Sequence, residues 1–172
     1  METALELDFE EDIALQEPKY GISEYELERG KPMPNEIHSF AQSNLIVALT
    51  SRYKKRNKLF SELTIKVGET TATPDISIYP YYELDWAKRV PAAKAEPPLV
   101  AIEIISPSQT LVEMLDKADM YFAHGVKSCW IVQPELQIIS VLHPGEPPKT
   151  FTQGMVSDSA VDVEIPIEEV FE

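Results

Sequence analysis

Asp75, Glu103 and Lys117 are the residues whose types and settings could do chemistry together in this chain of 172 residues. Asp75 follows Pro74 at the head of a short apolar run, Ile76-Ser77-Ile78-Tyr79. Glu103 interrupts LVAIEII (99–105), a run that otherwise reads as a strand buried on both faces. A carboxylate in such a strand needs a cation, a metal or a proton, because burying it unpaired is costly. If the two strands are neighbours, both acids converge on one point of a sheet. Two ionised acids held close repel unless a hard divalent cation sits between them. Mg²⁺ accepts one or two carboxylates and keeps several waters, which leaves room for a phosphate oxygen and an attacking water. A nearby lysine would orient that water or neutralise charge building up on the phosphorane. The chemistry in view is metal-dependent hydrolysis of a phosphodiester.

The elements around these residues must bring them together. Ser106-Pro107-Ser108 stops the Glu103 strand, and helical spacing follows with Leu111, Met114, Leu115, Ala118 and Phe122 on one side. Lys117 lies roughly 10 Å down a helix that runs back over the sheet. That is near the level of Glu103, which sits about 6.6 Å below the turn. The alternative for Lys117 is a plain pair with Glu113 one turn away. Upstream, Pro32-Met33-Pro34 resets the chain, and Asn35 is an N-cap for a helix over 36–56. A strand over 58–67, a link over 70–73 and a strand over 74–79 follow. A long connection over 80–98, with one helical turn near 82–88, leads into the Glu103 strand. After the second helix (110–124) come a strand at 128–132 and its hairpin partner at 138–142. Weak strands near 149–152 and 161–165 precede a closing helical turn. A strand–helix–strand step with apolar strands implies a crossover in a mixed sheet with helices on its faces. Residues 1–18 read as an acidic arm, and 19–172 as one domain.

Charge and cysteine usage narrow the class. The net charge of −14 argues against a generic nucleic-acid coat. Half of that charge comes from seven acids within residues 1–17, and RYKKRNK (52–58) holds five of the fifteen basic residues. The body can therefore still offer phosphates a local positive patch, although the helix dipole alone explains a basic helix end. No apolar run is long enough to cross a membrane, and the acidic N-terminal stretch, without a basic or an apolar region, does not read as a secretory signal. The single cysteine, Cys129, fits a reducing cytoplasm and reads as a small buried hydrophobe. No G-x-S-x-G elbow, Walker loop or G-x-G-x-x-G is present. His124 and His143 have no zinc-ligand spacing.

Pro74-Asp75, EII-SPS from Glu103, Lys117 and DMYFAHGVKSCWIVQP from Asp119 resemble the Uma-two family of restriction endonuclease-like proteins, within the PD-(D/E)XK nuclease superfamily. YELERGKPMP, His38 and the closing IPIEEVF belong to the same match, which spans roughly 17–171. The superfamily lysine stands two residues after the acid on one strand; Ile105 occupies that place, and Lys117 on the helix matches the family's substitute. Glu113 and Gln133 stand where the family usually has aspartate. The resemblance implies an α/β (α+β) fold: a mixed sheet flanked by helices, order αβββαβ plus C-terminal hairpin strands. It also implies a Mg²⁺- or Mn²⁺-dependent endonuclease cutting DNA. Asp75 and Glu103 would hold the metal, the Ile104 carbonyl would be a further ligand and Lys117 would position water. Glu36 and His38 open the first helix, where nucleases of this fold often carry an acid, and His38 reads equally as a core histidine. Glu62 and Glu113 are further auxiliary candidates, Glu62 equally a surface acid. A homodimer is expected, because many nucleases of this fold pair to cut both strands. The rival reading is an inactive, acidic binding or assembly module on the same fold, and the same residues would serve RNA equally.

Overall fold

The computed structural model of the chain describes residues 32–172, which make up the unit Met33–Glu172 and the proline before it. The acidic arm over 1–18 and the YELERGK part of the resemblance (25–31) lie outside the described residues.

Two prolines keep the chain extended until Asn35, whose side chain accepts the His38 N–H at 2.9 Å and starts helix α1 (Glu36–Tyr53). Its buried face is His38, Ala41, Leu45, Ala48 and Leu49. The expected strand over 58–67 is two strands, β1 (Asn57–Ser61) and β2 (Ile65–Val67). The break falls at Glu62, whose φ of 50° turns the chain out of the ladder. The expected link is β3 (Thr70–Ala72), which pairs with β2 in a small separate hairpin. Gly68 turns that hairpin at φ +63°, and a Cβ there would stand 2.9 Å from the His124 ring, so a larger residue would be strained and would have to displace that ring.

The main sheet contains β1, β4 (Ile76–Pro80), β5 (Val100–Ile104), β6 (Ser128–Gln133), β7 (Ile138–Leu142) and β8 (Lys149–Phe151), in the order β1-β4-β5-β6-β7-β8. β5 and β6 are parallel, joined through helix α2 (Leu111–Ala123), and every other pair is antiparallel. Leaving aside the β2–β3 hairpin, the order α1-β1-β4-β5-α2-β6 is the expected αβββαβ. Between β4 and β5 the expected helical turn is a single tight turn at Asp85–Lys88. A second hairpin, β9 (Met155–Asp158) and β10 (Val163–Pro166), and helix α3 (Glu168–Phe171) close the chain. Strand β9 was not foreseen, being too short to display a period.

Each face of the sheet carries its own apolar layer. On one, α1 and the C-terminal hairpin pack on Ile76, Ile78, Ile102, Ile104 and Trp130. On the other, Met114, Ala118 and Tyr121 of α2 pack with Ile65, Tyr79, Ala101, Cys129 and Ile131. The buried stripe of α2 differs from the expected one: Leu111 and Leu115 are 47% and 39% exposed. The helix is rotated so that Lys117 and Tyr121 reach the sheet. Cys129 is buried and free, and among the described residues no helix is long and apolar enough to cross a membrane.

The C-terminal hairpin is fastened through a buried polar group. Asp158, 1% exposed, accepts the Trp130 Nε1–H at 2.7 Å and lies 2.9 Å from His143 Nε2. Asp158→Ala would strand the buried indole N–H and release His143. Its expected cost is about 3 kcal/mol, read as a lower urea midpoint.

Candidate active site

Proline and register together set the first carboxylate. The β4–β5 register pairs Ile76 with Ile102, so one more residue sets Asp75 opposite Glu103. A further step sets Pro74 opposite Ile104. Proline has no N–H to return to the Ile104 carbonyl. The Ile104 N–H is taken instead by the Asp75 side chain, at 2.7 Å to Oδ2. Asp75 is 1% exposed and is gripped from several elements. His38 Nε2, on α1, lies 3.4 Å from the same Oδ2. The Asp75 carbonyl accepts from Gln42 Nε2 and from the Glu62 N–H, each at 3.0 Å.

Glu103, also 1% exposed, projects into the apolar layer under α2. Lys117 Nζ lies 3.3 Å from its Oε2, and the Tyr121 hydroxyl donates to its Oε1 at 2.5 Å. Lys117 and Tyr121 are one helical turn apart, so a single face of α2 delivers both. The lysine side chain is 32% exposed, which leaves its ammonium in touch with water. Burial, then the charge of Glu103, pushes the Tyr121 hydroxyl well above its ordinary value. The phenol therefore stays protonated and remains a donor. The charge of Asp75 acts on Tyr121 in the same direction. Burial and then Glu103 also push the Cys129 thiol up, which leaves it an inert, neutral neighbour.

Among the auxiliary candidates, His38 is in contact with Asp75, and its Nδ1 is buried without a hydrogen-bond partner among the described residues. Glu62 is adjacent through its main chain, with an exposed side chain. Glu36 is exposed at the start of α1. Glu113 turns to the helix end, where its carboxylate accepts the Thr110 N–H at 2.6 Å while Thr110 Oγ1 accepts the Glu113 N–H at 3.3 Å. This capping box fixes the start of the helix that carries Lys117. Thr110→Ala is expected to cost about 1 kcal/mol of stability in urea unfolding. The Thr110 backbone bond, helped by its hydroxyl, holds the Glu113 carboxyl below its ordinary range. Its stabilisation is present above that range and fades as pH falls through the lowered value, so the gap between variant and parent narrows in acid. Gln42 and Tyr121 were not foreseen. Each stands four residues after a candidate, His38 and Lys117, and that spacing is the signal that could have found them.

The oxygens at this point of the sheet are hard: the carboxylates of Asp75 and Glu103, set opposite each other by the register, and the main chain of Ile104. Among the described residues no group of three or more His, Cys, Asp or Glu side chains is placed to hold a metal ion, so any ion here would rest on two carboxylates. Two carboxylates completed by carbonyl and water oxygens suit Mg²⁺ or Mn²⁺.

A family model described as "Uma2: Putative restriction endonuclease" matches residues 5–168. Among solved structures the chain is similar to one from Anabaena variabilis, described as "a putative nuclease belonging to DUF820". The TM-score is 0.71 at 23% identity, over 81% of this chain and 83% of that one, which establishes a shared fold. No curated protein matches.

Proposed function

The chain belongs to the Uma2 family, and from that membership together with the Asp75–Glu103–Lys117 cluster we propose a divalent-metal-dependent nuclease that hydrolyses DNA phosphodiesters. The observation that carries this reading is the contact of Lys117 with Glu103, the residue that the β4–β5 register sets opposite Asp75, whose carboxylate occupies the Ile104 N–H. Asp75 and Glu103, with the Ile104 carbonyl, would hold Mg²⁺ or Mn²⁺. Such an ion supplies Lewis-acid polarisation of a phosphate oxygen. Lys117 offers N–H donors to an attacking water and a positive charge opposite the oxygens on which charge develops. Tyr121 holds the second oxygen of Glu103, so the carboxylate keeps one orientation. On Asp75, His38 lies against the carboxylate and Gln42 holds the main-chain carbonyl. Supercoiled plasmid is expected to be nicked by the purified chain in Mg²⁺ or Mn²⁺, and not in EDTA or by Asp75→Asn. Nicking by Asp75→Asn would overturn the assignment.

A second reading, a nuclease-fold module without catalysis, is favoured by the net charge of −14 and by a Glu103 already held by Lys117 and Tyr121. Metal-linked stability separates the two: Mn²⁺ raises the melting temperature of a working site and leaves that of an inactive module unchanged. Parallel assays on DNA and RNA decide the substrate. Light scattering tests for the homodimer that would present two sites to two strands.

A further inference from the structure

Trp86 is 91% exposed, the least buried large hydrophobic side chain among the described residues. An indole this exposed offers the flat face of its ring to a ligand. The loop that carries it is built to present it. Asp85 accepts the Ala87 N–H on Oδ1 at 3.0 Å and the Lys88 N–H on its carbonyl at 3.2 Å, which places Trp86 at the tip of a tight turn. The loop base is pinned to the sheet and to the β2–β3 hairpin. The Tyr79 hydroxyl donates to the Glu96 carbonyl at 3.0 Å, and Lys94 exchanges main-chain bonds with Thr64 and Lys66, both at 2.9 Å.

This loop meets the most basic segment of the chain. The Tyr81 N–H donates to the Arg56 carbonyl at 3.0 Å, and Lys58 Nζ lies 4.9 Å from the centre of the Tyr81 ring. Segment 52–58 and the loop residues Lys88 and Arg89 together hold seven of the fifteen basic residues. Arg52 and Arg56 are engaged by Glu169 and Asp162. Lys54, Lys55 and Arg89 are exposed and are in no ion pair among the described residues, while Lys88 stands 3.5 Å from Asp85. Glu83 and Asp85 are the acids of the loop tip. An exposed indole on a loop that also carries Lys88 and Arg89 and begins, at Tyr81, beside the basic segment 52–58 matches one kind of polymer on an otherwise acidic protein: an anionic strand with flat apolar bases.

We propose that the Trp86 loop and the Lys54-Lys55 turn form a docking surface for an unpaired stretch of nucleic acid, with Trp86 stacking on a base and Lys54, Lys55, Lys88 and Arg89 meeting phosphates. Unpaired nucleotides are required because a base inside a duplex offers no free face for stacking. The six steps from Asp75 to Tyr81 span about 20 Å along the line of β4. A single strand of a few unpaired nucleotides bridges that distance, so one strand reaches from the carboxylates to the loop. The inference rests on the nuclease reading for the purpose of the strand, and its test is independent of cleavage.

Fluorescein-labelled oligo-dT of 20 nucleotides, titrated into the full chain in EDTA, reads binding by anisotropy and stacking by quenching of tryptophan emission. Trp86→Ala is expected to weaken binding about 5- to 100-fold and to remove the quenching. Lys54→Ala with Lys55→Ala is expected to lower the salt slope by about 1.4. Oligo-rU should compete like oligo-dT, and a blunt duplex poorly. Circular dichroism melts of these surface variants should match the parent. Parental affinity in both variants, a preference for duplex, or no binding by the parent overturns the surface. If binding follows these variants while the parent never nicks plasmid, the surface stands and the hydrolytic reading falls. If plasmid is nicked and both variants bind like the parent, only the surface falls.

Discussion

Replacing Lys117 by methionine is expected to lower plasmid nicking at least about a hundredfold, with little change in the concentration of DNA needed for half-maximal rate. The ammonium is the mobile positive charge of the cluster, 3.3 Å from Glu103 and still touched by water, so its loss acts where charge develops in the reaction. Methionine keeps the apolar stem packed under α2, which separates charge from volume. The same substitution leaves Glu103 buried with its hydroxyl partner Tyr121 and without that cation. A loss of about 2 kcal/mol in metal-free urea unfolding is expected, less than for a fully buried pair because the lysine is partly solvated. Mn²⁺ should restore part of this stability, because it binds the same carboxylate. Unchanged nicking by Lys117→Met would place the chemistry elsewhere.

Glu103→Gln is expected to abolish nicking and, with it, the thermal stabilisation by Mn²⁺. At one hundred times the dissociation constant the parent gains about 2.7 kcal/mol from a bound ion, and the variant should gain none. Without metal the variant should lie within about 1 kcal/mol of the parent. Removing the charge relieves its desolvation, and an amide oxygen still accepts from Tyr121. The pattern wanted is a large difference with Mn²⁺ and a small one without. A variant that simply fails to fold gives the opposite pattern.

The sequence shows Glu103 by itself, because an acid in an apolar strand breaks a local rule; Asp75 after proline and Lys117 one turn from Glu113 have ordinary explanations, and it is the family resemblance that singles them out. The sequence also shows the crossover from β5 through α2 to β6, since that follows from strand polarity alone. Tyr121 stayed hidden because a tyrosine at helical spacing reads as core, and its hydroxyl gains meaning only once Glu103 is known to lie 2.5 Å away. Gln42 reads as an ordinary polar helix residue, and its amide gains meaning only once the Asp75 carbonyl is known to lie 3.0 Å away. The β2–β3 hairpin was read as a strand end and a link because each strand has only three residues, too few to establish a period. The face of α2 was misjudged because Leu111 and Leu115 look like core residues, whereas the helix turns to bring Lys117 and Tyr121 to the carboxylate. The basic run 52–58 was legible as charge but not as surface; only the fold shows which cations are tied to acids and which stand beside Tyr81.

The most direct measurement is anomalous diffraction from crystals grown with Mn²⁺. One peak is expected, bounded by the carboxylates of Asp75 and Glu103 and the carbonyl of Ile104, and missing from crystals of Glu103→Gln. A peak away from these three oxygens, or none at saturating Mn²⁺, would contradict a metal-dependent site in this chain.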